Sequence, residues 1–106
     1  MLAWGAKVSK QFREKAIAIA LKGRFDPNWL MSVMAFESGE TFSPSIRNEL
    51  SGATGLIQFM ENYGAKQVGK TTEQLAAETA EEQLDDVEKY YDQFLGQIKT
   101  LADCYM

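Results

Sequence analysis

The chain has no histidine, one cysteine, two prolines and no apolar run long enough to cross a bilayer. Each shortage excludes something. Without histidine there is no His-ligated zinc, no Cys–His pair and no Ser–His–Asp triad. A single thiol, Cys104, permits no intrachain disulfide. Set among apolar neighbours, it reads as a small buried hydrophobe and not as a reactive group. Basic residues are also few. Eleven Lys and Arg stand against 15 Asp and Glu, a net charge of −4. Nucleic acid is not expected as a partner, and neither is insertion into or attraction to an anionic membrane, since the chain lacks a dense basic face. The opening residues MLAWGAKVSKQF hold few apolar positions before Lys7 and Lys10, so no signal-peptide core is expected. No metal or cofactor is expected either. If the chain breaks bonds by acid/base chemistry, carboxylates are the natural groups left.

What is present argues for a packed domain. The 106 residues are 45% apolar and include six Phe, four Tyr and two Trp, enough for one domain over 1–106. Ser9 can cap a helix over about 10–22, with Gly23 as its stop. Asp26 and Pro27 open a second helix over about 27–38, and Gly39 is the expected left-handed residue after it. Residues 40–55 are loop-like, with room for a small hairpin at most. A short helix is expected over 56–67 and another from Thr71. Thr79 with Glu82 is a capping box for a long helix over about 80–98. Its apolar stripe is Leu84, Val87, Tyr91, Phe94 and Ile98, and its acidic residues from Glu78 to Asp86 read as a solvated face. Thr100 with Asp103 starts a last helix. So short a helix is marginal alone, and either the chain is cut inside a longer domain or the last helix is completed by something else.

One residue stands out. Leu30, Val33, Met34 and Glu37 share a helix face at i, i+3, i+4 and i+7. Apolar face-mates desolvate the Glu37 carboxylate, which raises its pKa. The negative end of the helix dipole acts in the same direction. No Lys or Arg lies within four residues to oppose them. A carboxylic acid held protonated near neutral pH is suited to general acid catalysis. The plain alternative is a side chain that points past the helix end into water.

The segments Glu37-Ser38-Gly39, Phe42-Ser43-Pro44, Asn48 and GATGLIQFM (52–60) resemble the soluble lytic transglycosylase and goose-type lysozyme family, in wording closest to its phage-borne branch. The resemblance spans about residues 26–106. It implies a mainly α, lysozyme-like domain of the transglycosylase type, truncated at its C-terminus. It also implies cleavage of the β-1,4 bond between N-acetylmuramic acid and N-acetylglucosamine in peptidoglycan. By position, Glu37 would be the acid and then the base. Gln58 would line the sugar groove and bond the glycan, with Ile57 in place of the family's frequent Met. Ser51 or Asn48 would steady the glutamate. Gly52 and Gly55 would let backbone approach sugars. Tyr105 would keep part of a third motif, here Cys104-Tyr105-Met106 where the family has Ala-Tyr-Asn. A C-terminal fragment or another virion component would complete the groove.

One carboxylate is enough for an intramolecular displacement that leaves a 1,6-anhydro end. Hydrolysis needs a second to activate water. Glu40, Glu49 and Glu61 are the near candidates, each also readable as a solvated loop residue. Arg47 and Lys66 are candidates for a muramyl carboxylate. Trp29 and Tyr91 read as core, and Tyr90 is open between core and sugar contact. The alternatives carried are a hydrolytic lysozyme and an inactive glycan-binding or structural virion module. With no leader expected, the protein would sit in a phage virion or the host cytoplasm before delivery to the wall.

Overall fold

Helix starts are marked by side-chain caps in the computed structural model, which describes residues 2–105. Ser9 Oγ accepts from the Phe12 amide at 3.0 Å and opens α1, Lys10–Gly23. Asp26 accepts from Asn28 N at 2.8 Å, ahead of Pro27, in α2, Pro27–Glu37. A short α3, Gly64–Gln67, has no side-chain cap. Complete capping boxes open α4, Thr72–Ala76, α5, Ala80–Tyr91, and α6, Leu101–Cys104. Each box gives two otherwise orphaned amides an acceptor. Short 3-10 turns cover Gly5–Lys7 and Asp92–Phe94.

α2 is the central element. Leu30, Met31, Val33, Met34 and Ala35 are all buried, so it is covered on more than one side. Full burial of a Leu or Met is worth about 1.5–3 kcal/mol, so these residues anchor the core. α1 packs on both α2 and α5, and α6 packs on α2. Trp29 is half-buried against the same core. Cys104 is buried and unpaired. Among the described residues there is no strand, and no helix is long and apolar enough to cross a membrane.

Several expectations need correction. The hairpin is reduced to two single-residue antiparallel bridges, Arg47 with Thr54 and Thr54 with Phe59. The helix expected over 56–67 exists only at Gly64–Gln67. Thr54 and Phe59 exchange both backbone hydrogen bonds, at 3.0 and 2.8 Å, which closes a tight loop between them. Gly55 and Gln58 take φ of 88° and 56° in that loop, which a helix does not allow. The long helix stops at Tyr91 and not at 98. A 3-10 turn and Gly96 at φ 77° then bend the chain. The bend still buries Ile98, so the stripe survives although its helix does not. Gly23 is not the left-handed stop. Arg24 takes that role at φ 59°. Gly23 is needed because a Cβ there would sit 2.5 Å from the Phe25 ring. Finally, the acidic face of α5 is not all solvated. Asp86 is buried, and Lys70 Nζ bridges it at 3.0 Å and Glu78 at 2.8 Å.

Candidate functional site

The end of α2 is fixed by Ser38. Its hydroxyl donates to Met34 O at 2.6 Å and accepts from Phe42 N at 2.9 Å, with the side chain fully buried. Gly39 follows at φ 61°, the left-handed conformation glycine enters at little cost. The chain therefore leaves α2 sharply and cannot cover Glu37. The carboxylate projects into a cleft bounded by the last turn of α2, the 57–64 loop, the end of α5, and α6 with Tyr105. The cleft encloses about 390 Å³ of empty space, counting its open mouth.

Glu37 is half-buried and makes no hydrogen bond or ion pair among the described residues. Burial raises its pKa above the ordinary carboxylate value. Among the described residues it is the only Asp or Glu lining the cleft. Around it stand Tyr63, Tyr90, Tyr91 and Tyr105. Tyr91 is buried and its hydroxyl donates to Cys104 O, which ties α6 to α5. Burial first, then nearby groups that include the Glu37 charge, push the Tyr91 phenol far up. Tyr91 therefore stays neutral, with its proton committed to Cys104. Tyr90 is buried too, in edge-on contact with Phe59, Tyr63, Tyr91 and Phe94. Burial and then the Tyr63 phenol raise it to about 12. Tyr90 is at once core and cleft wall.

Gln58 lines the same cleft. Its Nε2 donates to Ile46 O at 3.2 Å and Gly55 O at 3.0 Å, so the amide nitrogen braces the loop. The carbonyl oxygen makes no hydrogen bond among the described residues and is the end that can meet a ligand. Glu37, Gln58 and Tyr105 are thus brought together.

Asn48, Ser51 and Gly55 are not cleft-lining. Asn48 Oδ1 accepts from Leu50 N and Ser51 N at 2.9 and 3.2 Å, and Ser51 Oγ accepts from Ala53 N at 3.2 Å. Both shape the 48–53 turn. The three candidate second carboxylates also lie elsewhere. Glu40 accepts from Trp4 Nε1 at 3.2 Å. Glu61 accepts from Thr72 N and Oγ1 at 2.9 and 2.7 Å, contacts that lower its pKa. Glu49 is exposed and outside the cleft lining. Arg47 pairs with Thr54 and Thr72, and Lys66 is exposed; neither lines the cleft. No cluster of His, Cys, Asp and Glu among the described residues could hold a metal ion.

Gln83 is the residue that sequence reasoning missed. It is fully buried on α5. Its Oε1 accepts from Leu56 N at 2.7 Å, and its Nε2 donates to Pro44 O and Leu75 O at 2.9 Å each. One amide thus pins the chain at Pro44, at Leu56 and at the end of α4. A signal existed: Gln83 shares a helical face with Val87 and Tyr90, a polar residue in an apolar row. Gly55 is explained by the same contact. A Cβ there would lie 2.3 Å from Gln83 Oε1 and 2.8 Å from its Nε2. Gly55→Ala is expected to lower stability by about 2–4 kcal/mol, combining left-handed strain with overpacking. Gly52→Ala, with φ 76° and nothing within 4 Å of its Cβ, carries the backbone cost alone, about 1–2 kcal/mol. Urea unfolding of both variants checks this, and equal losses would remove the Gln83 explanation.

Comparison of the chain with models of protein families, with curated proteins and with solved structures gave no match in any of the three.

Proposed function

We propose that this helical domain has a lysozyme-like arrangement and cleaves the glycan strand of peptidoglycan between N-acetylmuramic acid and N-acetylglucosamine. One observation carries the reading: among the described residues Glu37 is the sole Asp or Glu of an aromatic-lined cleft, unpaired and desolvated at a helix end. The position of Gln58 beside it, as the GATGLIQFM resemblance implies, supports the same reading.

In this mechanism Glu37 is protonated before reaction and gives its proton to the glycosidic oxygen. The C–O bond breaks and an oxocarbenium-like centre develops. The resulting carboxylate removes the proton of the muramic acid 6-hydroxyl, whose oxygen then bonds to the anomeric carbon. The Glu37 proton is restored and a 1,6-anhydro end is released without water. This route is favoured over hydrolysis because Glu40, Glu49 and Glu61 all stand outside the cleft lining. An inverting hydrolase needs a second carboxylate to activate water.

The test is incubation with purified peptidoglycan and mass spectrometry of the soluble products. Anhydro-muropeptides are the expected outcome. Reducing ends would replace the transglycosylase by a hydrolytic lysozyme. Binding to the glycan without any release would replace both by a non-catalytic glycan-binding or structural virion module.

A further inference from the structure

A second concavity lies on the other side of the last turn of α2, and its lining includes Trp4, Ser32, Phe36, Glu40 and Tyr105. Three of these are aromatic and exposed: Phe36 at 72%, Tyr105 at 42% and Trp4 at 36%. Rings left in water around one hollow mark a recognition surface more often than chance exposure does. The rings are also held in place. Phe36 and Tyr105 meet edge to face, with centroids 5.7 Å apart at 89°. Trp4 Nε1 donates to Glu40 Oε1 at 3.2 Å, and Lys7 Nζ donates to Glu40 O at 2.8 Å. Trp4 and Glu40 sit at φ 55° and 65°, a left-handed backbone that bulky side chains rarely adopt. Strain of this kind persists where contacts enforce it, and it gathers at ligand clamps.

The chemistry of the hollow selects a ligand with an apolar face and a hydroxylated rim. Aromatic faces receive C–H surfaces, and the Glu40 carboxylate can accept from a hydroxyl. A pyranose ring offers both. A quaternary ammonium would also suit aromatic rings and a carboxylate. Here, however, the Lys7 ammonium lies against the Glu40 carbonyl and opposes a cation. The hollow also adjoins the first cleft. Tyr105 lines both, and Phe36 precedes Glu37 on α2. We propose that Trp4, Phe36 and Tyr105 form a second pyranose subsite, holding a further sugar of the strand whose other units occupy the Glu37 cleft. This rests on the reading of that cleft as a glycan site.

The experiment is an NMR titration of the Glu37→Gln protein with the tetrasaccharide and, separately, the disaccharide of N-acetylglucosamine. Signals of Trp4 and Phe36 report on the platform; those of Gln58 and Tyr90 report on the cleft. The tetrasaccharide is expected to move both sets. Phe36→Ala, which removes an exposed ring and leaves the core intact, is expected to weaken the tetrasaccharide about tenfold and leave the disaccharide unchanged. Cleft shifts with a silent platform, or undiminished tetrasaccharide binding by Phe36→Ala, would overturn the subsite and leave the cleft reading in place. Platform shifts alone would overturn the subsite as part of a strand shared with the cleft, and would count against the cleft reading as well. Platform shifts with choline and none with sugar would overturn the subsite, and no shift at all would overturn both readings.

Discussion

Glu37→Gln is expected to reduce release of soluble fragments from peptidoglycan by about 10²–10⁴-fold, the usual contribution of a positioned general acid. The amide keeps the shape of the carboxyl and cannot deliver a proton. No hydrogen bond is lost, because Glu37 has none among the described residues. The fold should therefore persist, and its stability should respond in the opposite direction from activity. The folded pKa of Glu37 is raised by burial. A raised carboxylate favours folding while protonated, below its unfolded pKa. That advantage fades as pH climbs from the unfolded pKa through the folded one. Wherever the pH is high enough to ionise Glu37, the wild type bears a desolvation cost that the glutamine variant avoids. The variant should be at least as stable there, and the difference should shrink in acid. In the wild type, activity should fall on the alkaline side as Glu37 loses its proton. Rates come from turbidity loss of wall suspensions, and stability from urea unfolding across pH. Activity of the variant within a few-fold of wild type would eliminate Glu37 as the acid. A variant that gains no stability relative to wild type as pH rises would remove the desolvation argument.

Gln83→Leu is expected to cost about 3–5 kcal/mol. The substitution keeps much of the volume, so packing is not the main loss. Leu56 N and Pro44 O lose their Gln83 partner, while Leu75 O keeps the Glu78 amide at 3.1 Å. A buried backbone group left unsatisfied costs about 1–3 kcal/mol. Against a total stability of about 5–15 kcal/mol, the variant should be only marginally folded. Gln83→Glu separates hydrogen bonding from shape. Protonated, it can accept from Leu56 and donate to one carbonyl. Ionised, it faces two carbonyl oxygens in the interior, so its folded pKa must rise above the unfolded one. Gln83→Glu should therefore exceed Gln83→Leu in stability below the unfolded pKa, and lose that lead as pH rises through the folded value. Urea midpoints at several pH values would read this directly. A pH-independent gap between the two variants would mean that residue 83 is not enclosed as described.

These two residues divide the molecule by how it can be read. Ser9, Asp26, Thr71, Thr79 and Thr100 each bond amides two or three residues on. Such bonds depend on a few neighbouring side chains, so these five helix starts were legible from the sequence, whereas that of the uncapped α3 was not. Glu37 was legible as well, because its oddity is a matter of helical spacing along α2. So were the left-handed Gly39 and the buried stripe of α5, although not the point where its helix ends.

The tertiary structure alone decided the rest. The loop at 54–59 defeats its own helical pattern because Thr54 and Phe59 pair and Gln83 claims the Leu56 amide. Leu56 and Pro44 lie 27 and 39 positions from Gln83. No periodicity records contacts over that distance, since chain reversals bring the partners together. The same reversals turn Asn48 and Ser51 toward their own loop, set Gly55 against Gln83, and place Tyr105 between two hollows. The sequence by itself determined where the capped helices begin and which acid is uncomfortable. Which side chains share a cleft with that acid was decided only by tertiary packing, because adjacency in a cleft is set by non-local contacts.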